Sequence, residues 1–390
     1  MKKHLAILCG VYYPHPSPTG QCVDRFIELL KDTYTIDVIS LSESDNEERV
    51  VREDGVRVFT LCGRRLAAER RGKGAVAKLL HLLGGIEIKT RFLGNLTWFR
   101  HKAARLLTEL HAEYPYDTVF SVCSPLAAHA AAVDFKRLAP TARHVAYTVD
   151  PYATAMRPRP IGWSLRRLKA AEKEILSKAD AVLASEEMLA AREDVRELAK
   201  PLPYVLPEPI LPIKKQERST IDCVYAGRFY EDIRHPEPML RCFSQMSDPR
   251  IRLHLYTTGC EEIVSRYAKE NPSIVRHELL PHKEILRVYA QADVLVNIGN
   301  RAAEFLPSKT FEYIATGKPI LHFKNGGECC FRLKKYPLVL QLNQAESQLS
   351  EAFIRETAGR LLTYDEICEI YREHTKDAIK EQLLNALKGH

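Results

Sequence analysis

The sequence predicts an α/β protein built from two doubly wound domains, and three observations support this. The length of 390 residues predicts two domains, or at most three, each with its own apolar core. Strand and helix patterns alternate along the chain, which favours mainly parallel sheets covered by helices. The stretch 201–212 holds five prolines in twelve positions, which is typical of a linker. We therefore expect domains over 1–205 and 206–365, followed by a final helix over 366–390.

The predicted elements follow from apolar runs for strands and from 3.6-residue periodicity for helices. A polar, acidic stretch over 42–54 is expected to be an exposed connection. In the first half we expect strands over 4–13, 35–41, 56–61, 118–122, 143–149 and 181–185, and helices over 21–31, 98–114, 125–138 and 163–177. In the second half we expect strands over 221–226, 251–257, 274–280, 293–298, 320–323 and 338–342, and helices over 261–270, 307–316 and 365–388.

Composition excludes several classes of protein. Hydrophobic residues make up 45% and charged residues 27%, which is ordinary for a globular protein. No apolar run approaches the roughly 20 residues that a membrane span needs, and no signal peptide follows Met1. The ten cysteines contain no C-x-x-C pair, so neither a zinc site nor a disulfide framework is indicated. These features predict a cytoplasmic protein.

The net charge of +7 is concentrated in one segment, which we call the basic segment (64–105). It contains eleven Lys and Arg against two Glu, so the rest of the chain is slightly acidic. Large apolar residues stand among these cations, which predicts an amphipathic surface that lies on anionic lipid, at the inner face of the cell membrane. The alternative is a pair of helices that pack on the domain with solvated charges. No nucleic-acid-binding motif accompanies the charge, so nucleic acid is not an expected partner.

The stretch from Glu304 to Ile320 carries the clearest functional pattern. It follows the strand predicted over 293–298, and Pro307 suits the first turn of a helix. Gly317 and Pro319 then predict the end of that helix. The loop between strand and helix therefore opens at the carboxyl end of the sheet, where open α/β folds bind ligands.

The residue types in this stretch suit a nucleoside diphosphate. The first N–H groups of the helix, at Ser308, Lys309 and Thr310, lie at the positive end of its dipole and form an anion site. Their two hydroxyls and one ammonium suit a diphosphate. Glu312 lies one turn deeper on the face of Ser308, where it can accept hydrogen bonds from a ribose diol. Glu304 precedes the helix and is expected to project towards a transferred group. The alternative is a capped surface helix with two solvated glutamates.

Glu304 and Glu312, with seven residues between them and Pro-Ser-Lys-Thr inside, resemble the paired-glutamate motif of GT-B glycosyltransferases of family 4. The resemblance implies two Rossmann-like domains that face each other across a cleft, with a final helix that crosses back to the first domain. It also implies a nucleotide-sugar donor in the second domain and an acceptor in the first. Glu304 would lie near the sugar hydroxyls and Glu312 on the ribose. The transfer would retain the anomeric configuration.

Two arginines follow the first strand of the second domain. Arg228 and Arg234 share one loop at the carboxyl end of that strand and could clamp a diphosphate bidentately. Family 4 usually has Gly-Arg followed by Lys-Gly. Here Arg234 stands near the place of that lysine and His-Pro follows it, which resembles a subgroup with Arg-x-Pro. The alternative is two solvated surface arginines.

Two residues of the first domain complete the expected site. Asp150 follows the strand over 143–149 and precedes Pro151, where it resembles the His or Asp that family 4 carries at this strand tip. It could orient or deprotonate the acceptor hydroxyl, or it could simply form an Asx turn. Gly20 ends a proline-rich loop that resembles the family's loop near the donor phosphate and acceptor. The alternative is a plain loop-to-helix turn.

The sequence thus predicts a retaining glycosyltransferase of the hexosyltransferase class, acting in bacterial surface-polysaccharide synthesis. The resemblance implies a UDP- or GDP-linked sugar as the donor, and the basic segment predicts a lipid-linked saccharide as the acceptor. No D-x-D motif occurs, so no metal or other cofactor is expected, and fixed cations would stabilise the leaving diphosphate. Alternatives are another GT-B enzyme, such as a sugar-nucleotide epimerase or a phosphorylase, and a catalytically silent module that binds lipid or nucleotide. The expected catalytic residues are Asp150, Glu304, Arg228 and Lys309, and the expected donor-binding residues are Gly20, Arg228, Arg234, Glu304, Ser308, Lys309, Thr310 and Glu312.

Overall fold

The computed structural model describes residues 2–14, 17–42, 44, 46–63, 96–155, 162–213, 219–232, 234–300, 309–324, 331–343 and 346–389. The predictions for Glu304, for Ser308 and for most of the basic segment lie outside these ranges. The chain folds into two compact units. The first unit comprises residues 1–205 and 376–390, and the second comprises residues 206–375.

The first unit alternates strands and helices, as its sequence predicts. Its strands are β1 (Lys3–Val11), β2 (Tyr34–Leu41), β3 (Glu48–Val51), β4 (Arg57–Leu61), β5 (Thr118–Cys123), β6 (Arg143–Thr148), β7 (Ala181–Ala184) and β8 (Ala199–Pro201). Its helices before residue 205, among the residues that the structure describes, are α1 (Pro18–Leu30), α2 (Thr97–Glu113), α3 (Leu126–Leu138), α4 (Tyr152–Ala155), α5 (Gly162–Leu176), α6 (Glu186–Ala191) and α7 (Glu193–Arg196).

Within the described residues these strands form one sheet, in the order β3-β4-β2-β1-β5-β6-β7-β8. Every neighbouring pair is parallel except β3 with β4. Strand β1 lies in the middle because its side chains are apolar on both faces. Leu5, Ile7 and Cys9 pack with α1 on one face, whereas Ala6 and Leu8 face α2 and α3 on the other. The chain therefore winds in both directions from β1, as in a doubly wound fold.

The second unit repeats the same plan with six strands in its described part. They are β9 (Ile221–Arg228), β10 (Ile251–Thr258), β11 (Ile274–His277), β12 (Val294–Ile298), β13 (Ile320–Phe323) and β14 (Val339–Leu342). The helices of that described part are α8 (Glu237–Ser244), α9 (Glu261–Glu270), α10 (His282–Gln291), α11 (Lys309–Ala315), α12 (Phe331–Lys334), α13 (Ser347–Thr357) and α14 (Tyr364–Ile370).

The sheet of the second unit is parallel throughout, in the order β11-β10-β9-β12-β13-β14. All five residues of β12 are buried, which marks it as a central strand with both faces covered. The chain runs outwards from β9 in one direction and from β12 in the other. The boundary between β9 and β12 is therefore the topological switch point of this unit.

The last helix, α15 (Lys376–Lys388), packs on the first unit. Ile379, Leu383 and Leu387 lie at four-residue spacing and are buried in the same apolar cluster as α1. Arg143 Nε also donates to the carbonyl oxygen of Ala386 at 2.8 Å. The prediction that the chain ends in a helix on the first domain is thereby confirmed.

The predicted single helix over 365–388 is wrong, because the structure has two. A 3₁₀ turn, Arg372–His374, separates α14 from α15. Helix α14 begins with its own capping box, in which Thr363 and Glu366 exchange hydrogen bonds. His374 is buried against the ring of Phe311, 4.8 Å between centroids, so the turn is held inside the second unit.

The start of α1 also differs from the prediction. The helix begins at Pro18 and not at residue 21, because Ser17 accepts a hydrogen bond from Gly20 N at 3.1 Å. Ser17 is therefore the N-cap and Pro18 takes the first helical position, where its missing N–H costs nothing. Gly20 consequently lies in the first turn of a helix and does not end a loop.

Two further elements differ from the sequence-based assignment. Strand β3 lies in the stretch predicted as an exposed connection and pairs antiparallel with β4. It is four residues long and Val51 is 68% exposed, so it lacks the apolar pattern that identifies a strand. Strand β11 ends at His277, three residues before the predicted end.

Candidate active site

The switch point of the second unit gathers the predicted cationic residues. Strand β9 ends at Arg228 and is followed by the loop with Arg234, while α11 brings Lys309 to the same end of the sheet. Because β9 and β12 are parallel neighbours, the segments that follow them leave in opposite directions and open a crevice between them.

Lys309 lies at this crevice with a buried side chain. Its Nζ donates to the carbonyl oxygen of Ala226 at 2.8 Å and lies 3.7 Å from the centroid of the Tyr225 ring. Gly227 makes this approach possible, because a Cβ at that position would lie 2.9 Å from Nζ and the residue has a φ of +146°. The ammonium thus rests against the end of β9, whereas the sequence places it at an exposed helix terminus.

Arg234 is anchored by both its backbone and its side chain. Its N–H and C=O pair with those of Tyr230 at 3.0 and 3.2 Å, which folds the loop back onto the strand end. Its Nε and Nη2 both donate to Oδ1 of Asn300, at 3.0 and 2.6 Å. Its Nη1 lies 3.5 Å from the carbonyl oxygen of Arg228. Asn300 follows β12, so this contact spans the switch point.

The surroundings of Lys309 at the switch point lower its affinity for a proton. Burial lowers the pKa of Lys309 well below its ordinary value, the charge of Arg234 lowers it further, and Glu312 opposes the shift. Burial raises the pKa of Tyr225 to about 12, with Arg234 opposing. In the part of the chain that the structure describes, no carboxylate lies within ion-pair distance of Arg228, Arg234 or Lys309. A bound anion would therefore offset the repulsion between these cations, which no described carboxylate neutralises.

Arg228 is exposed, unlike the other predicted donor-binding residues that the structure describes. Its guanidinium lies over the ring of Tyr230, 5.3 Å from the centroid. This contact keeps the charged group beside the loop of Arg234 while it remains open to solvent. Arg228 can therefore meet an anion without the desolvation that Lys309 has already undergone.

Glu312 and Thr310 are buried on α11, close to the start of that helix. Oε1 of Glu312, a residue only 8% exposed, accepts a hydrogen bond from Nε2 of His282 at 2.9 Å. Oγ1 of Thr310 is buried and has no hydrogen-bond partner within the described ranges. The carboxylate thus has a fixed orientation, whereas the hydroxyl has unused capacity that a ligand could take up.

Asp150 lies at the carboxyl end of β6 in the first unit. Burial raises its pKa to about 7, and the negative charge of Glu187 contributes in the same direction. The hydroxyl of Ser185 donates to the carbonyl oxygen of Val149 and caps α6, which begins beside this strand end. Helix α6 therefore places Glu187 near Asp150. A carboxyl with a pKa near 7 can accept a proton at neutral pH.

The described end of the basic segment behaves as an ordinary surface helix. Phe99 is fully buried in the core between α2 and α3. Three cations of α2 pair with acids that lie outside the segment, which favours the alternative interpretation for this end. The pairs are Arg100 with Asp134, Lys102 with Glu47 and Arg105 with Glu109. The membrane prediction now depends on residues 64–95, which lie outside the described residues.

The structure brings five of the predicted residues to one end of the second unit: Arg228, Arg234, Lys309, Thr310 and Glu312. Asp150 and Gly20 belong to the first unit. Sequence reasoning missed Asn300, whose only signal is a polar side chain shortly after a buried strand. The turn Pro281-His282 is expected from the family 4 resemblance to lie beside the nucleotide base, but the sequence assigns no role to the His282 side chain.

No group of three or more His, Cys, Asp or Glu side chains that could hold a metal ion occurs among the described residues. None of the described helices is both long and apolar enough to cross a membrane.

Comparison with known proteins identifies the fold. Neither a protein-family model nor a curated protein matches the sequence. Among solved structures, sucrose-phosphate synthase from Thermosynechococcus elongatus matches at a TM-score of 0.67 and 14% identity, over 100% of this chain and 99% of that one. The lipopolysaccharide outer core galactosyltransferase WaaB matches at 0.59 and 11%, over 99% of both chains. HepE of Anabaena, in complex with UDP-glucose, matches at 0.62 and 12%, over 99% of this chain and 100% of that one.

These similarities extend over the whole chain. Together with the two parallel-sheet units they confirm the predicted α/β, GT-B fold. At this level of identity the comparison establishes the fold, and the function has to be argued from the site.

Proposed function

We propose that this protein is a glycosyltransferase that transfers a sugar from a nucleoside-diphosphate donor bound to the second unit. The observation that carries the proposal is the arrangement of Arg234 and Lys309 at the switch point. The two cations lie close enough for one to lower the pKa of the other, and neither has a carboxylate partner among the described residues. A diphosphate supplies the missing negative charge.

The reaction requires charge stabilisation on the leaving diphosphate. As the glycosidic bond to the nucleotide breaks, negative charge accumulates on the phosphate oxygens, and preorganised cations stabilise it without a metal. Arg228, Arg234 and Lys309 would supply this stabilisation. We assign the ribose hydroxyls to Glu312, whose orientation His282 fixes. By the family 4 resemblance we assign the sugar hydroxyls to Glu304 and further phosphate contacts to Ser308 and Thr310.

Asp150 is our candidate for the group that orients or deprotonates the acceptor hydroxyl. A general base works best when its pKa lies near the working pH, and the pKa of Asp150 is raised to about 7. Gly20, in the first turn of α1, is proposed to lie near donor phosphate and acceptor. Retention of anomeric configuration, as in family 4, belongs to the proposal as well.

The proposed acceptor is a lipid-linked saccharide used in bacterial surface-polysaccharide synthesis. Its support is the basic segment, with its cations and large apolar residues over 64–95, and the likeness to a galactosyltransferase of the lipopolysaccharide outer core. The protein would then bind peripherally to the inner face of the cell membrane. Sedimentation with anionic and with neutral vesicles tests this part. Equal binding after the Lys and Arg residues over 64–95 are replaced by Gln would contradict it.

A thermal-shift screen of nucleotide sugars tests the core of the proposal. A donor that binds the folded protein raises its melting temperature by mass action. The expected result is a shift with one UDP- or GDP-linked sugar that is lost in Arg234→Ala and kept in Arg252→Ala, an exposed arginine near the amino end of β10. Absence of any shift with all nucleotide sugars would contradict the proposal.

Turnover experiments separate the related activities. Transfer that requires an added saccharide acceptor supports a glycosyltransferase. Conversion of the donor sugar without any acceptor would indicate an epimerase, and a requirement for free phosphate would indicate a phosphorylase. Donor binding with no turnover under any of these conditions would indicate a module that only binds nucleotide.

A further inference from the structure

We propose that Asn300 is a positioning residue that orients Arg234 towards the donor diphosphate and leaves the full positive charge of that arginine available. This inference rests on the proposed function and adds a residue to the site. It is argued from the contact between two residues that are 66 positions apart in the sequence.

The geometry of the contact fixes one edge of the guanidinium. Nε and Nη2 of Arg234 both donate to Oδ1 of Asn300, at 3.0 and 2.6 Å. Asn300 is 5% exposed and lies two residues after the end of the central strand β12, so the acceptor is itself held in place. The backbone of Arg234 is held by its bridge to Tyr230. The guanidinium therefore has a defined orientation before any ligand arrives, which lowers the entropy cost of binding.

Within the described residues, no carboxylate contacts the other edge of the guanidinium. Nη1 lies 3.5 Å from the carbonyl oxygen of Arg228, a distance at the outer limit of a hydrogen bond. A phosphate oxygen can replace so weak an acceptor. The side that Asn300 holds and the side that a diphosphate would contact are thus different edges of the same planar group.

The chemical identity of Asn300 matters because its amide is neutral. A carboxylate at this position could make the same two hydrogen bonds with nearly the same shape, and it would also neutralise the arginine. A charge-assisted pair of this kind is stronger than the contact with an amide. Asparagine therefore makes a weaker contact with Arg234 than a carboxylate would, but it leaves the positive charge of the arginine available to the ligand. Lys309 lies close enough to Arg234 to sense its charge, so the same choice affects both cations.

The test compares Asn300→Asp with Asn300→Ala by calorimetric titration of UDP and GDP into the full-length protein. Asn300→Asp is expected to weaken diphosphate binding about tenfold or more, because it converts a charged donor into an internal ion pair. Asn300→Ala should weaken it less, because Arg234 loses its orientation but keeps its charge. Binding of uridine or guanosine, which carry no phosphate, should change little in either variant.

Asn343→Asp is the matched control. This exposed asparagine directly follows β14 at the same end of the sheet, so the substitution adds the same charge at a distance from the site. Its diphosphate affinity should remain within about twofold of the wild type, because exposed charges are screened by salt. A loss as large as that in Asn300→Asp would overturn the proposal, because any added acid would then suffice.

The order of the diphosphate affinities of Asn300→Asp and Asn300→Ala separates a positioning role from a purely structural one. If Asn300 served only to hold the loop, Asp would replace it without loss and Ala would be the more harmful change. That order, or wild-type affinity in Asn300→Asp, overturns the inference. Melting temperatures show whether each variant folds. In an Arg234→Ala background, Asn300→Asp should cost clearly less affinity than it does in the presence of Arg234, and an equal loss in both backgrounds would also overturn it.

The same titrations distinguish the two levels of the proposal. If the wild type binds neither UDP nor GDP, the proposed function fails, and the role of Asn300 fails with it. If the wild type binds a diphosphate and the variants do not follow the expected order, the proposed function stands and the role of Asn300 is wrong.

Discussion

The two units carry opposite chemistry at the carboxyl ends of equivalent sheets. In the first unit, Asp150 follows a parallel strand and lies near a second acid, Glu187. In the second unit, Arg234 and Lys309 meet at a switch point without a carboxylate partner in the described residues. The backbone plan is the same in both. The loops that follow the strands therefore decide whether such a sheet presents a proton acceptor or an anion site.

Burial affects both Asp150 and Lys309 but shifts their pKa values in opposite directions. Removal from water disfavours the charged form of any group, so it raises the pKa of Asp150 to about 7 and lowers that of Lys309. In each unit a neighbour of like charge increases the shift. The result is a carboxyl that can exchange a proton near neutral pH, and an ammonium that an anionic ligand would stabilise.

Among the substitutions that test this comparison, removal of the Lys309 ammonium from the anion site of the second unit should have the largest effect. Lys309→Ala should lower the rate of sugar transfer by about 100-fold to 1,000-fold, since removal of one preorganised group that stabilises developing charge typically costs that much. Initial rates with the donor found in the thermal-shift screen measure it. Arg252→Ala is the control, and a loss of less than about threefold in Lys309→Ala would contradict the role of this residue.

Removal of the proton acceptor on the acidic side should have the next largest effect. Asp150→Asn is expected to slow transfer by about 100-fold, the contribution of a positioned general base. In the wild type the rate should rise with pH and level off above about pH 7, because only the deprotonated carboxyl accepts a proton. Rates measured from pH 5 to pH 9 check this, and an unchanged rise in the variant would exclude Asp150 as its source.

The same substitution has a predicted effect on stability. The folded protein holds the Asp150 proton up to a pKa of about 7, whereas the ordinary value is 3.8. The wild type therefore loses stability as the pH rises between these values, while the neutral amide of Asp150→Asn does not. Melting curves should show the variant above the wild type at pH 8, with the difference shrinking towards pH 4. The exposed control Asp32→Asn should show no such trend.

A smaller effect, expected at Lys309 and not at Asp150, is the uptake of a proton when nucleotide binds. A diphosphate near Lys309 adds negative charge and therefore raises the lowered pKa of this ammonium, so the complex should bind up to about one proton more than its separated components. Calorimetry of UDP binding in buffers of different ionisation enthalpy measures this number. Lys309→Met, which keeps the side-chain length without the charge, should abolish the uptake assigned to the lysine.

The smallest expected effect concerns the orientation of Glu312. His282→Ala removes the partner of Oε1, but His282 is largely exposed, and exposed ionic contacts contribute only roughly 0.2–1 kcal/mol. The KM for the donor should rise about two- to fivefold with little change in kcat. His282→Asn, which can still donate a hydrogen bond, should recover part of the loss. A change in kcat alone would assign His282 a different role.

The fold could be predicted from the sequence because its strongest signals are local. Continuous apolar strands such as β1 and β12 reveal buried parallel sheets, and the proline-rich stretch after residue 200 marks the change between units. Ser17 and Pro18 also carry a local signal, since Ser-Pro is a common start for a helix. The predicted start after Gly20 is nevertheless wrong, because a glycine that follows several prolines looks like the end of a loop.

The rest of the site could not be predicted because it depends on contacts between distant segments. The anchor of Arg234 is Asn300, on the far side of the switch point, and nothing in the sequence near either residue indicates the pairing. The buried position of Lys309 depends on the space that Gly227 leaves beside β9. Cations in a loop suggest an anion site, but their orientation and their effects on one another are properties of the folded unit.

The central claim is that the switch point of the second unit binds a diphosphate through cations without carboxylate partners among the described residues. Calorimetric titration of the full-length protein with UDP and GDP, and with uridine and guanosine, tests it most directly. The account predicts that a diphosphate binds at least about tenfold more tightly than its nucleoside. The advantage should fall as salt is raised and disappear in the double variant Arg234→Ala, Lys309→Ala. Equal affinity for diphosphate and nucleoside, or an advantage that survives the double substitution, would contradict it.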